Sequence, residues 1–207
     1  MAIGKRVHWW GLILVLSLAL IAFGLVWKPG PVDRDSGHRT PPLATAPQGG
    51  DFALARDGQA FSLADHRGQV VLLYFGYTSC PDVCPTSMAV MRQALRQLEA
   101  TELEQVQGVF VSVDPERDRP EQLAEYAGFF HPNILGVTGS EAELAEAGRR
   151  YGAAWQRVDS GSEMGYSVDH SSYIYVIAPD GRLVETLPHG AGAGQILEVV
   201  RPLLSEG

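Results

Sequence analysis

The chain has 207 residues, 45% of them hydrophobic and 19% charged, which is ordinary for a folded protein and excludes wholesale disorder. That length allows one globular domain and an appendage, and it is cramped for two full domains. Lys5, Arg6 and Lys28 are the only acid–base charges before residue 29, so the other 13 bases face all 24 acids, a balance of −11. Nucleic acid is therefore excluded as a partner, because phosphate binding needs a concentrated basic surface.

Residues 9–27 carry no charge, and Ser17 is their one hydroxyl. At about 1.5 Å per helical residue the run reaches roughly 28 Å, close to the thickness of a bilayer's hydrocarbon core. Trp9, Trp10 and Trp27 stand where interfacial aromatic anchors stand, and the preceding bases favour a cytoplasmic amino terminus. A cleaved signal peptide is the competing reading. Its apolar region is usually shorter, about 7–15 residues, and no small-x-small cleavage site follows Leu20, so residues 1–28 are expected to be a retained transmembrane anchor. Residues 29–50, with five prolines, read as a Pro/Gly-rich tether and 51–207 as the folded domain.

Within that domain strand and helix signals alternate. A hairpin is expected from 52–55 and 60–63 around Asp57-Gly58. The almost wholly apolar QVVLLYF at 69–75 reads as a strand buried on both faces. Pro85 opens a helix to about residue 100, with Met88, Met91, Leu95 and Leu98 on one stripe. Further strands are expected at 106–113, 133–137, 172–178 and 183–187, and further helices at 120–129, 141–151 and 193–204. This order predicts an α/β, thioredoxin-like sandwich around a central mixed sheet, preceded by one N-terminal transmembrane helix.

The chain has two cysteines, Cys80 and Cys84, directly after the buried strand. On the outer side of a membrane such a pair is a structural disulfide, a redox couple or a soft-metal site. A bridge closing so short a loop adds little stability, which disfavours the first. Pro85 sets a helix amino terminus beside both sulfurs, where orphan amides and the helix dipole favour thiolate. Spacing leans toward metal, since Cβ atoms four apart on a helix are about 5–6 Å apart and a disulfide needs about 3.5–4.5 Å. Pro81 keeps the stretch from being a full helical turn, so closure into a disulfide stays open.

Six histidines are available as further ligands. His8 and His38 lie before and after the apolar run, His66 in a surface loop, and His131 and His189 in turns beside proline. His170 differs because it lies in a loop entering the strand at 172–178, and in a thioredoxin-like fold that loop faces the cysteine helix. Thiolates favour Cu(I) and imidazole also accommodates Cu(II), whereas a closed zinc site takes four protein ligands.

Three segments, YFGYTSCPDVCP at 74–85, SVDPERD at 112–118 and YSVDHS at 166–171, together resemble the Sco/SenC family of cytochrome oxidase assembly proteins, from about residue 50 to the end. The resemblance implies a membrane-tethered thioredoxin fold binding copper, Cu(I) and/or Cu(II), through Cys80, Cys84 and His170, with Asp82 and Asp169 as acidic neighbours. It implies a role in assembling the copper A centre of cytochrome c oxidase, with the copper A subunit as client and a copper donor or thiol reductant as further partner. The alternative is a thiol–disulfide reductase, using the Cys80 and Cys84 redox pair to keep the oxidase cysteines reduced. The implied setting is a bacterial-type inner membrane, crossed once, with the domain on the periplasmic side. The motif from Asp114 to Asp118 reads as a loop at the carboxyl end of a strand, with no chemistry assigned.

Overall fold

The computed structural model describes residues 41–56, 59–159 and 165–204, together with 15, 17 and 23. The run at 9–27 expected to cross a membrane lies outside the described residues except for Val15, Ser17 and Phe23, which are helical. No helix among the described residues is long and apolar enough to cross a membrane.

A five-stranded mixed sheet carries the domain, in the order β5-β4-β3-β8-β9. Strands β3 (Val70–Gly76), β4 (Val106–Ser112) and β5 (Ile134–Val137) are parallel, β8 (Tyr173–Ile177) pairs antiparallel with β3, and β9 (Leu183–Pro188) pairs antiparallel with β8. All seven residues of β3 are buried, as a strand covered on both faces requires. The expected early hairpin forms from β1 (Ala53–Arg56) and β2 (Gln59–Ser62), its turn lying outside the described residues.

Helices α1 (Val83–Leu95), α2 (Ala100–Leu103), α3 (Pro120–Phe130), α4 (Glu141–Tyr151) and α5 (Ala193–Leu204) complete the sandwich. The helix expected to run from Pro85 to about residue 100 is two pieces: α1 ends at Leu95, and Glu99 and Glu102 form a capping box that starts α2. Alternation along β3 divides the core. Tyr74 packs toward Phe110 and α1, while Phe75 packs on the opposite face against Tyr151, Trp155 and Tyr175.

One element was not expected from the sequence. Strands β6 (Trp155–Asp159) and β7 (Tyr166–His170) form a separate antiparallel ribbon, pairing Trp155 with His170 and Asp159 with Tyr166. His170 is thus the last residue of a strand, where the sequence placed it in a loop. Residues 41–50, the end of the expected tether, run beside the carboxyl end of α4, with Gln48 and Gly49 both donating to the Arg150 carbonyl at 2.9 Å.

Candidate metal centre

Two short connections bring the functional side chains together. The first joins β3 to α1 and carries Cys80, whose N–H donates to the Tyr77 carbonyl at 3.3 Å, and then Cys84 in the first helical turn. The second is the passage from β7 to β8 at Ser171 and Ser172, which sets His170 at the same end of the sheet. Cys84 Sγ lies 3.1 Å from His170 Nε2 and Cys80 Sγ lies 3.9 Å from it. All three ligand atoms fall within 4.8 Å of one another. Cys84 is fully buried, Cys80 and His170 nearly so, and the two sulfurs are unlinked.

The imidazole is held in one orientation. Its Nδ1 lies 3.1 Å from the Ser171 carbonyl oxygen, which can only accept, so Nδ1 carries a proton and Nε2 is the ring atom turned to the sulfurs. Tyr74 and Tyr77 set their rings edge-on to it, with centroids 6.1 and 5.8 Å away. Burial holds the Tyr77 hydroxyl up to about 12 and raises Tyr74 as well, so both remain neutral neighbours.

The two cysteines differ in charge. A hydrogen bond from the Cys84 thiol, with smaller help from the main-chain N–H groups of Asp82 and Cys84, outweighs burial and holds the Cys80 thiol down to about 3. Burial, and then the neighbouring Cys80 sulfur, push the Cys84 thiol well up. The pair therefore carries one thiolate and one thiol near neutral pH, with the charge on Cys80. The Cys84 N–H points at Cys80 Sγ from 3.4 Å, the helix-terminus arrangement that favours thiolate.

Gly76 makes the close approach possible. A Cβ at that position would stand 2.8 Å from Cys84 Sγ and 3.0 Å from the rings of Phe110 and Tyr74. The loop that follows is clamped by the motif at 112–118, whose residues alone left it without assigned chemistry. Asp118, buried, accepts from the Thr78 N–H at 2.9 Å, the Thr78 hydroxyl at 2.6 Å and the Ser112 hydroxyl at 2.6 Å. Asp114 accepts from Arg117 Nε at 2.5 Å and the Tyr166 hydroxyl at 2.7 Å. Arg117 in turn lies 3.8 Å from the centre of the Tyr166 ring and 5.6 Å from that of Tyr77, which borders His170. Spacing of polar residues just past a buried strand was the available signal; the partners are distant in sequence.

Among the described residues, the convergent cluster of metal-capable side chains is Cys80, Cys84 and His170, without Asp82 or Asp169. The Asp82 side chain is exposed and makes no capping bond. Asp169 is buried, and its Oδ1 has no hydrogen-bond partner among the described residues. His66 and His131 bond Gln69 and the Asn133 N–H, and His189 Nδ1 meets the Ser87 hydroxyl at 3.2 Å, so all three stand outside the cluster. Two sulfurs and an imidazole nitrogen with its other nitrogen anchored are a donor set that fits copper in either oxidation state.

A family profile described as SCO1/SenC matches residues 40–205. The chain belongs to the SCO1/SenC family. It is 39% identical over 195 residues to the protein SCO2 homolog, mitochondrial, of Mus musculus, covering 91% of this chain and 76% of that one. Among solved structures it is similar to Arabidopsis thaliana ScoI with copper bound, with a TM-score of 0.69, 32% identity and coverage of 77% of this chain and 99% of that chain. Bradyrhizobium japonicum ScoI with copper bound is similar too, with a TM-score of 0.68, 33% identity and coverage of 76% and 99%. The SCO1/SenC fold is thioredoxin-like with a central mixed sheet, as the sequence predicted.

Proposed function

We propose that this SCO1/SenC protein is a membrane-anchored copper-binding protein that assists assembly of the copper A centre of cytochrome c oxidase. Copper is the cargo, and Cys80, Cys84 and His170 hold it. The observation that carries the reading is the orientation of His170: with Nδ1 fixed on the Ser171 carbonyl, Nε2 faces both sulfurs inside a buried pocket. The copper-bound Arabidopsis and Bradyrhizobium relatives support the choice of metal.

Each residue has a part that follows from its surroundings. Cys80 supplies the standing thiolate and is the first sulfur to meet an incoming cation. Cys84 must lose its proton before it can ligate, so loading is coupled to proton release. His170 adds the nitrogen that stabilises Cu(II) beside the soft sulfurs. Asp82 and Asp169 act as acidic neighbours, outside the ligand set. The apolar, charge-free run at 9–27 serves as a single-pass anchor in a bacterial-type inner membrane, with the domain on the periplasmic side beside the copper A subunit. Exchange of copper with a donor and with that subunit follows from three protein ligands, which leave a position for an incoming group.

The decisive experiment titrates the reduced protein with Cu(I) and Cu(II) and repeats the titration with His170→Ala. Altered Cu(II) affinity and spectrum support the ligand set, and an unchanged Cu(II) spectrum overturns it.

The unequal cysteines favour a second reading of the same pair. Cys80 thiolate attacks a disulfide sulfur of the client and releases one client thiolate. Cys84 then loses its proton and attacks Cys80 Sγ, releasing the second client thiolate. The protein ends as the Cys80–Cys84 disulfide and the client gains two electrons. A thiol reductant must afterwards return the pair to the dithiol. Disulfide exchange with a client peptide that persists in His170→Ala distinguishes this activity from copper handling.

A further inference from the structure

Ser171, the residue after His170, is tied to a segment that enters the domain from the membrane side of the chain. Its N–H donates to the Ala154 carbonyl at 2.9 Å, and its hydroxyl accepts from the Ala154 N–H at 3.0 Å. The single hydroxyl proton is shared between the Ala154 carbonyl at 3.3 Å and the Pro42 carbonyl at 3.4 Å. Ser171 is buried, 1% exposed, and its carbonyl takes the His170 bond.

The segment that contributes Pro42 is strapped down along its length. The Ala44 N–H donates to the Gly152 carbonyl at 2.8 Å, Gln48 and Gly49 donate to Arg150, and the Tyr151 hydroxyl reaches the Gly50 carbonyl at 3.0 Å. Gly152 ends α4 with φ of 65°, and a Cβ there would overlap the Thr45 carbonyl oxygen. Residues 42–50 thus lie along the stretch from Arg150 to Ala154, and Ala154 and Ser171 continue it to the metal site.

We propose that residues 42–50 are a positioning element of the metal site, acting through Ser171 to fix the carbonyl that orients the His170 imidazole. The inference rests on the copper reading above and deepens it: the strap sets how firmly the nitrogen side of the site retains Cu(II). Displacing the strap therefore acts on one ligand out of three. The two sulfurs, carried by α1 and its preceding loop, are left in place.

The test uses the full chain in detergent micelles, with Ala44→Pro to remove the N–H that holds the strap to Gly152, Ser171→Ala to remove the hydroxyl, and Ser171→Thr to restore one. Two readouts are taken: the rate of Cu(II) loss to a competing chelator, and the ring-nitrogen resonances of labelled His170 in the metal-free protein. Ala44→Pro and Ser171→Ala are expected to speed Cu(II) loss by about tenfold, the usual range for partners that orient a ligand. They are expected to broaden or shift the His170 resonances, and Ser171→Thr is expected to recover both. Wild-type Cu(II) loss and wild-type resonances in Ala44→Pro overturn the strap, whatever Ser171→Ala does. A wild-type chain that takes up no Cu(II) overturns the copper reading instead, and the metal-free resonances still decide whether the strap positions His170.

Discussion

Cys84 Sγ and His170 Nε2 meet at 3.1 Å across 86 positions of sequence, and that meeting depends on the end of a two-stranded ribbon reaching the first turn of a helix. Neither residue moves toward the other by local preference. The ribbon end is set by its own pairing and by the Ser171 connection, the helix start by Gly76 and the Asp118 clamp. Mutations in either support are therefore expected to act on the site at a distance.

With the proposed ligand set, replacing His170 by alanine removes the nitrogen that favours Cu(II) and leaves two sulfurs for Cu(I). Cu(II) affinity is expected to fall by at least about a hundredfold, since partners beyond the ligands alone cost 10–100-fold, while Cu(I) affinity falls much less. Competition titrations with a chelator of each oxidation state check this.

Acid titration is expected to separate the cysteines. Cys80 is held down to about 3 from an ordinary value of 9.0, so its ultraviolet thiolate absorbance should persist through mildly acidic pH and vanish only near that value. Its contribution to stability is fully present above the unfolded value and declines as pH falls toward the folded one. Cys84 is raised, so folding opposes its ionisation and metal-free stability declines as pH rises above the unfolded value. Cys80→Ser should flatten the acidic side of the stability profile, read by denaturant unfolding across the pH range.

Copper uptake is expected to release about one proton per ion near neutral pH, because Cys80 arrives ionised and Cys84 does not. Calorimetric titrations in buffers of different ionisation enthalpy measure that number. A value near two would place both protons on the metal-free pair.

Gly76→Ala puts a methyl 2.8 Å from Cys84 Sγ and 3.0 Å from two aromatic rings in the packed core. Overpacking of this kind costs about 1–3 kcal/mol. Because the sulfur is the nearest atom, copper retention should fall together with stability, visible as faster Cu(I) loss in the variant at temperatures where it remains folded.

Asp118→Ala leaves the Thr78 N–H and hydroxyl and the Ser112 hydroxyl without their buried acceptor. Destabilisation of about 3 kcal/mol is expected from losing charge-assisted bonds at a buried site, measured by urea unfolding. Asp118→Asn keeps one acceptor oxygen and should cost less.

Much of this was legible in the sequence because the determinants are local. An unbroken apolar run made β3, proline marked the start of α1, and the three motifs pointed to the cysteines and His170. The β6 and β7 ribbon was not legible. WQRVD and YSVDH are five-residue strands that mix charge with apolar residues and lack an uninterrupted apolar run, so their pairing is visible only once Trp155 lies against Phe75. The role of the 112–118 motif was hidden for a related reason: Asp118 finds Thr78 forty positions away, and no local period encodes that contact. The break between α1 and α2 was missed because the apolar stripe continues to Leu98, while the chain after Leu95 turns through bonds from Gln97 to Ala94 and from Leu98 to Leu95.

The ribbon formed by β6 and β7 is a sheet of its own, and the cysteines belong to the β3 and α1 junction. An ion gripped by both therefore staples two pieces of backbone that share no strand ladder. The five-stranded platform keeps its full set of rungs whether or not the ion is there, so the ion's hold falls on the join between ribbon and platform and the core's own pairing does not depend on it.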